Sequence, residues 1–342
     1  LAAPALSAAA PGDGRAVTIG TLLGLCSALT YTLANAALRD LSRPDDLDWS
    51  LWVTFCKAAP VVLTAWTLVG WRTARGLPAL PPRSVLPRLM AAGVLAQLGG
   101  NLMFQEALGV LGLALTVPVT FTGIILCGAG LGWFVLGEPV GVRQGVSIVL
   151  LITATAALSL AAPDAAEAVL RQSLIGAHAD PLRVALAVAT ALGAGCAYGT
   201  LGVVIRKTGG EGVGVSGTLA PLSLAGLISL AALLGLRSGA GWQSVNPIAG
   251  TPPEAVPSLL IAGAANATAF FCIAAALHRI PVVRSNLLNA SQAAMAGVVG
   301  VVWFEEPPTG WLALGITLTI AGLALLGLRK PRRRTPRRPP PA

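Results

Sequence analysis

Apolar stretches of about twenty residues recur along the whole chain, broken only by short polar or basic segments. At ~1.5 Å of rise per residue such a run covers the ~30 Å hydrocarbon core of a bilayer. Ten can be marked, at roughly 16–38, 50–71, 89–108, 111–136, 141–161, 183–205, 214–236, 256–277, 281–304 and 309–328. Only 11% of the 342 residues are charged and 55% are hydrophobic, whereas a soluble domain carries about 25% charge. A soluble fold would have to bury every run on all sides. The sequence therefore predicts an all-α integral membrane protein with ten transmembrane helices.

The two ends and the middle differ from the runs. Residues 1–15 are small, bear Pro and Gly, and are expected to be a disordered N-terminus. They lack the basic-then-apolar order of a signal peptide, and a chain opening on Leu1 implies a truncated or unusual start. Residues 162–182 form the longest polar linker, and 329–342 a basic, Pro-rich tail that cannot build a packed core. Ten spans put both termini on one side. With the termini inside, Arg72, Arg75, Arg83, Arg88, Arg206, Lys207, Arg279, Arg284 and the tail are cytoplasmic, against Arg39, Arg43, Arg171, Arg183 and Arg237 outside. The positive-inside rule selects that orientation. The expected location is the cell inner membrane, with cytoplasmic termini and an extracytoplasmic 162–182 linker.

The chain also repeats itself. Tyr31 and Arg39 recur as Tyr198 and Arg206, Ala107-Leu108 as Ala276-Leu277, Glu138-Pro139 as Glu306-Pro307 and Gly141 as Gly310, at a spacing of 167–169 residues. Two halves, 16–161 and 183–328, each hold five predicted helices. Five is odd, so the second half inserts upside down relative to the first. Two inverted five-helix repeats are the architecture of many secondary transporters, whose site lies near the midplane where the repeats meet.

Polar residues inside the runs mark candidate site positions. Asn286, Asn289 and Gln292 are spaced by three, which puts them on one helix face. Gln97, Asn101 and Gln105 are spaced by four, again one face. Tyr31, Asn35, Tyr198 and Asn266 come from other runs, and Arg284 lies near a cytoplasmic end. This set could line a cavity for a neutral or zwitterionic solute. The blander alternative is interhelical glue, where such hydrogen bonds average ~0.6 kcal/mol. Lys57 and Glu106 are the notable charges within runs, both in the predicted outer half, where they could pair as a gate or proton-coupling device, or be a static ion pair or two side chains snorkelling to the interface. Glu138 and Glu306 precede prolines and read as turn or cap positions.

Other chemistries find little support. Cys26, Cys56, Cys127, Cys196 and Cys272 all lie in apolar runs without a CxxC, and His178 and His278 are far apart, so neither a disulfide framework nor a metal site is expected. No GxxxxGK[ST] phosphate loop occurs. The net charge of +9 owes much to the tail, whose expected role is to enforce orientation, with contact to anionic lipid as the alternative, and this argues against nucleic acid.

The segments "YTLANAALR", "AYGTLGVVIRK", "FQEALGVLGLA…FVLGEPV" and "AAALHRIPVVRSNLLNASQAAMAGVVGVVWFEEPP" resemble the drug/metabolite transporter superfamily, in its EamA-type branch, over about 16–328. Ala107 to Glu138 is one residue longer than Ala276 to Glu306, a departure from the pattern in the fourth helix. The resemblance implies a ten-helix metabolite carrier without a cofactor, and no enzyme. The expected activity is outward secondary transport of a small polar metabolite such as an amino acid, driven by a proton, ion or substrate gradient. The alternatives are a membrane-embedded lipid-modifying enzyme and a non-transporting membrane scaffold.

Overall fold

The computed structural model describes residues 14–43, 46–160, 181–238 and 251–327. The expected linker up to residue 180, the C-terminal tail and all but Gly14 and Arg15 of the N-terminal segment lie outside the described residues, as do His178 and Arg171. Gly14 and Arg15 are already helical.

Among the described residues the chain is helical throughout and has no strand. The helices are α1 (Gly14–Asp40), α2 (Leu47–Ala74), α3 (Leu86–Val94), a π-helical stretch (Leu95–Leu102), α4 (Met103–Leu111), α5 (Leu113–Leu136), α6 (Val142–Leu160), α7 (Pro181–Gly210), α8 (Val215–Ser238), α9 (Val256–Leu277), α10 (Val282–Asn289), α11 (Ser291–Trp303) and α12 (Gly310–Gly327). Each predicted run is helical over its described residues, but among those residues six helices are long and apolar enough to cross a membrane on those grounds alone: α1, α2, α5, α7, α8 and α9. The others are shorter or interrupted. The third run stays right-handed helical from α3 into α4 but widens to π geometry between them. The ninth divides at Ala290 into α10 and α11.

The outside of the bundle is apolar. Leu22, Leu25, Leu29 and Leu33 recur every three or four residues of α1 and are all exposed, a stripe that only lipid would cover comfortably. Trp71, Trp303 and Trp311 are exposed near helix ends, as interfacial Trp usually is. The chain is a multi-pass membrane protein.

Inside, the backbones come very close. A Cβ on Gly195 of α7 would sit 2.1 Å from the carbonyl oxygen of Thr120 on α5, and one on Gly123 would sit 2.4 Å from that of Leu192. A Cβ on Gly93 of α3 would meet the Leu222 carbonyl of α8 at 1.9 Å. Helices in lipid gain little from apolar burial and associate through such close contacts of small residues. The main pairings are α1 with α9, α7 with α5, α7 with the third run, α2 with α8, and α6 with α12.

Two helix ends are built alike. Gly137 after α5 and Glu305 after α11 both have positive φ, 65° and 53°. The next residue then turns its N–H back onto the helix: Glu138 N–H donates to Gly132 O at 3.1 Å, and Glu306 N–H to Gly300 O at 3.0 Å. Each bond closes seven residues, one more than the Schellman end, and the residue before the donor takes the left-handed conformation that normally goes to Gly; the second end carries Glu305 there.

Candidate functional site

Helices from both halves of the chain surround a cavity of about 130 Å³. Of the residues named from the sequence, Tyr31, Asn35, Gln97, Asn101, Tyr198, Asn266, Asn286, Asn289, Gln292 and Lys57 line it. Its walls are completed by Thr120, Phe121 and Ile124 of α5, Phe104 of α4, Ser223 of α8 and Phe270 of α9.

The third run supplies the centre of the polar network. Asn101 Oδ1 accepts from Lys57 Nζ at 2.6 Å and from the Tyr198 hydroxyl at 2.6 Å. Asn101 Nδ2 donates to Gln97 Oε1 at 2.6 Å. Both amides lie in the π stretch, a winding found often at functional sites. Gly100, one position before Asn101, is needed there. A Cβ would come within 2.7 Å of the Tyr198 ring, so the glycine lets Tyr198 lie against the helix. A second group of amides faces the cavity from α1 and from α10–α11. Asn35 Nδ2 donates to Gln292 Oε1 at 3.3 Å, and Asn286 Nδ2 to the Ile124 carbonyl at 3.4 Å. Asn289 Oδ1 and the Thr120 hydroxyl are buried with no hydrogen-bond partner. Buried polar groups are ordinarily satisfied, so these two face the space where a solute would sit.

Three residues named from the sequence lie elsewhere. Gln105 is buried outside the cavity, where Nε2 donates to the Leu38 carbonyl at 3.3 Å. Arg284 donates to Thr21 Oγ1 at 3.2 Å and faces α1. Glu106 has a buried Oε1 with no partner and does not line the cavity. It does not pair with Lys57, which is engaged by Asn101 instead. Spacing places the two charges at similar depth, but depth says nothing of the direction in which each side chain points.

Spacing alone does not single out Phe270 or Ser223. Phe270 follows Asn266 by one helical turn, so it is findable once Asn266 is placed on the cavity face. Ser223 has no such signal.

A second constellation links the halves away from the cavity. Arg39, at the end of α1, pairs with Glu306 at 3.4 Å, and Arg206, near the end of α7, pairs with Glu138 at 2.8 Å. Each carboxylate also caps a helix of the other half. Glu306 accepts from the N–H groups of Leu113 and Ala114, at 2.7 and 2.8 Å, at the start of α5. Glu138 accepts from Val282 N–H at 2.9 Å, at the start of α10. The first amides of a helix lack internal partners and carry partial positive charge, so a carboxylate suits them. The glutamates are caps, as their place beside prolines suggests, but the helices they cap are remote in sequence.

Fold and cavity together define a polytopic helical membrane protein with a polar-lined central cavity. Residues 185–328 match the model of the EamA-like transporter family, part of the drug/metabolite transporter superfamily. No curated protein matches the chain. A solved crystal structure of a protein is similar to it at 18% identity and a TM-score of 0.60, covering 90% of this chain and 96% of the other. That likeness shows a fold shared with that protein over most of the chain.

Proposed function

We propose that the protein is a secondary transporter that moves a small polar metabolite outward across the inner membrane by alternating access. The moving parts are two inverted five-helix repeats, 16–161 and 183–328, with both termini cytoplasmic. The observation that carries this reading is the cavity, to which both halves contribute polar side chains. A midplane site between repeats is the general plan of such carriers. The packing supports the same symmetry. The α1–α9 contact has a counterpart between α7 and the third run, while α2–α8 and α6–α12 join corresponding helices. The Arg39–Glu306 and Arg206–Glu138 pairs are likewise exchanged between the halves. Two packings related by such symmetry have similar energies, as alternating access requires. In this reading the cavity amides and tyrosines bind the solute, and Gln105, Arg284 and Glu106 serve packing.

The test is transport by the purified protein in proteoliposomes, screened with amino acids and related metabolites with and without a pH gradient. Saturable flux that falls on Asn101→Ala is the expected result. Absence of flux for every solute, with the protein demonstrably folded, would return the choice to an enzyme or a scaffold.

A further inference from the structure

We infer that the cavity accepts a solute carrying a single carboxylate, and that this group docks on Lys57. The inference rests on the transporter reading above and specifies its substrate class.

Lys57 is the one charged side chain among the residues that line the cavity. It is buried, with 3% of its surface exposed. Among the described residues its Nζ has no carboxylate in ion-pair range, and its side-chain hydrogen bond goes to a neutral amide oxygen, Asn101 Oδ1. That oxygen is shared with the Tyr198 hydroxyl. An ammonium carries three donors, so a site with one shared neutral acceptor leaves donors and charge unmatched. Buried charges are normally paired. Glu106 would have been the internal counterion, but it lies outside the cavity. The arriving solute is then the natural source of the missing negative charge.

The same geometry limits the anion. One ammonium neutralises one carboxylate. A phosphate monoester, close to two negative charges at neutral pH, would bring a surplus charge into a cavity with no second cation and no Arg fork to grip it. A solute with a net positive charge would meet Lys57 at close range. The remainder of the site asks for a donor on the same solute: Asn289 Oδ1 is a buried acceptor without a partner. A hydroxyl beside the carboxylate meets that need without a second charge, which favours hydroxy acids over plain fatty acids, whereas the ammonium of an amino acid meets it but restores a positive charge.

The experiment compares matched solutes with the purified full-length chain. Alanine, phenylalanine, lactate and glutamine are each set against their carboxamides, and glycerol 3-phosphate represents the dianions. Binding is read as a rise in melting temperature in detergent, and transport as counterflow in proteoliposomes. At least one carboxylate should stabilise the protein at a concentration tenfold or more below its carboxamide. In Lys57→Met the acid and amide should differ by less than twofold, and Lys57→Arg, which keeps the charge, should keep the preference for the acid. Amides, or the phosphate ester, acting as well as the acids would overturn the inference while leaving transport intact. So would an acid preference that persists in Lys57→Met. Carboxylates that stabilise the protein but are never transported would support this site and remove the carrier reading. Neither binding nor flux for any acid would remove both.

Discussion

Glu306 is the residue whose replacement the structure predicts most definitely. Its side chain is 2% exposed, and its two oxygens accept from Leu113 N–H at 2.7 Å, Ala114 N–H at 2.8 Å and Arg39 Nε at 3.4 Å. Glu306→Gln is nearly isosteric, but an amide has one acceptor oxygen. Its NH2 must face a backbone N–H that then has no partner, and an orphaned buried donor costs about 1–3 kcal/mol. Hydrogen bonds to a charged group contribute about 1.5–3 kcal/mol, and part of this is lost at the remaining contacts. Relief of the desolvated carboxylate offsets some of the sum. We expect a net loss of about 3 kcal/mol, near a hundredfold in the unfolding equilibrium. Glu138→Gln offers a built-in comparison. Glu138 is 18% exposed, its partner Arg206 is 25% exposed, and it caps a single N–H, so water can replace part of what is lost. There we expect a loss of about 1–2 kcal/mol. Reversible unfolding in mixed micelles, followed by tryptophan fluorescence, measures both. The reasoning fails if Glu306→Gln lies within about 0.5 kcal/mol of the parent, or if Glu138→Gln costs more.

Three further outcomes follow from named contacts. Gly195→Ala should lower the folded yield seen by size-exclusion chromatography, because its Cβ would fall 2.1 Å from the Thr120 carbonyl and must push α5 from α7; a full yield would mean this crossing is softer than its backbone contacts imply. Asn101→Ala leaves the Lys57 ammonium without its side-chain acceptor and should destabilise by about 1.5–3 kcal/mol, against about 1 kcal/mol for Tyr198→Phe, and unfolding titrations that rank them the other way would refute the assignment of Asn101 as the hub. His278, just past the end of α9, has its pKa lowered to about 4 by burial first and then by Arg279 and Arg206. Its folded pKa lies below the unfolded value, so its contribution is fully present above about pH 6.5 and is lost as pH falls toward 4. Melting curves should therefore show about 1–3 kcal/mol of acid sensitivity in that window, which His278→Gln flattens; an equal acid loss in the variant would exclude the imidazole.

Membrane character is legible in the sequence by itself, because twenty-residue apolar runs with so little charge leave few other folds open. So are the polar faces, since spacing by three or four along a helix decides which side chains point the same way. Asn286, Asn289 and Gln292 face one cavity together although the helix divides at Ala290. Anchors such as Arg39, Arg206, Glu138 and Glu306 are visible as recurring residues.

Which face meets which neighbour is decided only by the tertiary structure. Gln105 turns to the Leu38 carbonyl instead of joining Asn101, and Arg284 turns to Thr21. Lys57 finds Asn101 rather than Glu106, and Tyr198 shares the same acceptor. Glu138 and Glu306 reach across to helices more than a hundred residues away. Spacing along a helix constrains direction relative to that helix alone. The partner depends on how each helix is rotated and how closely its glycines let the next one approach, and those are properties of the packed bundle.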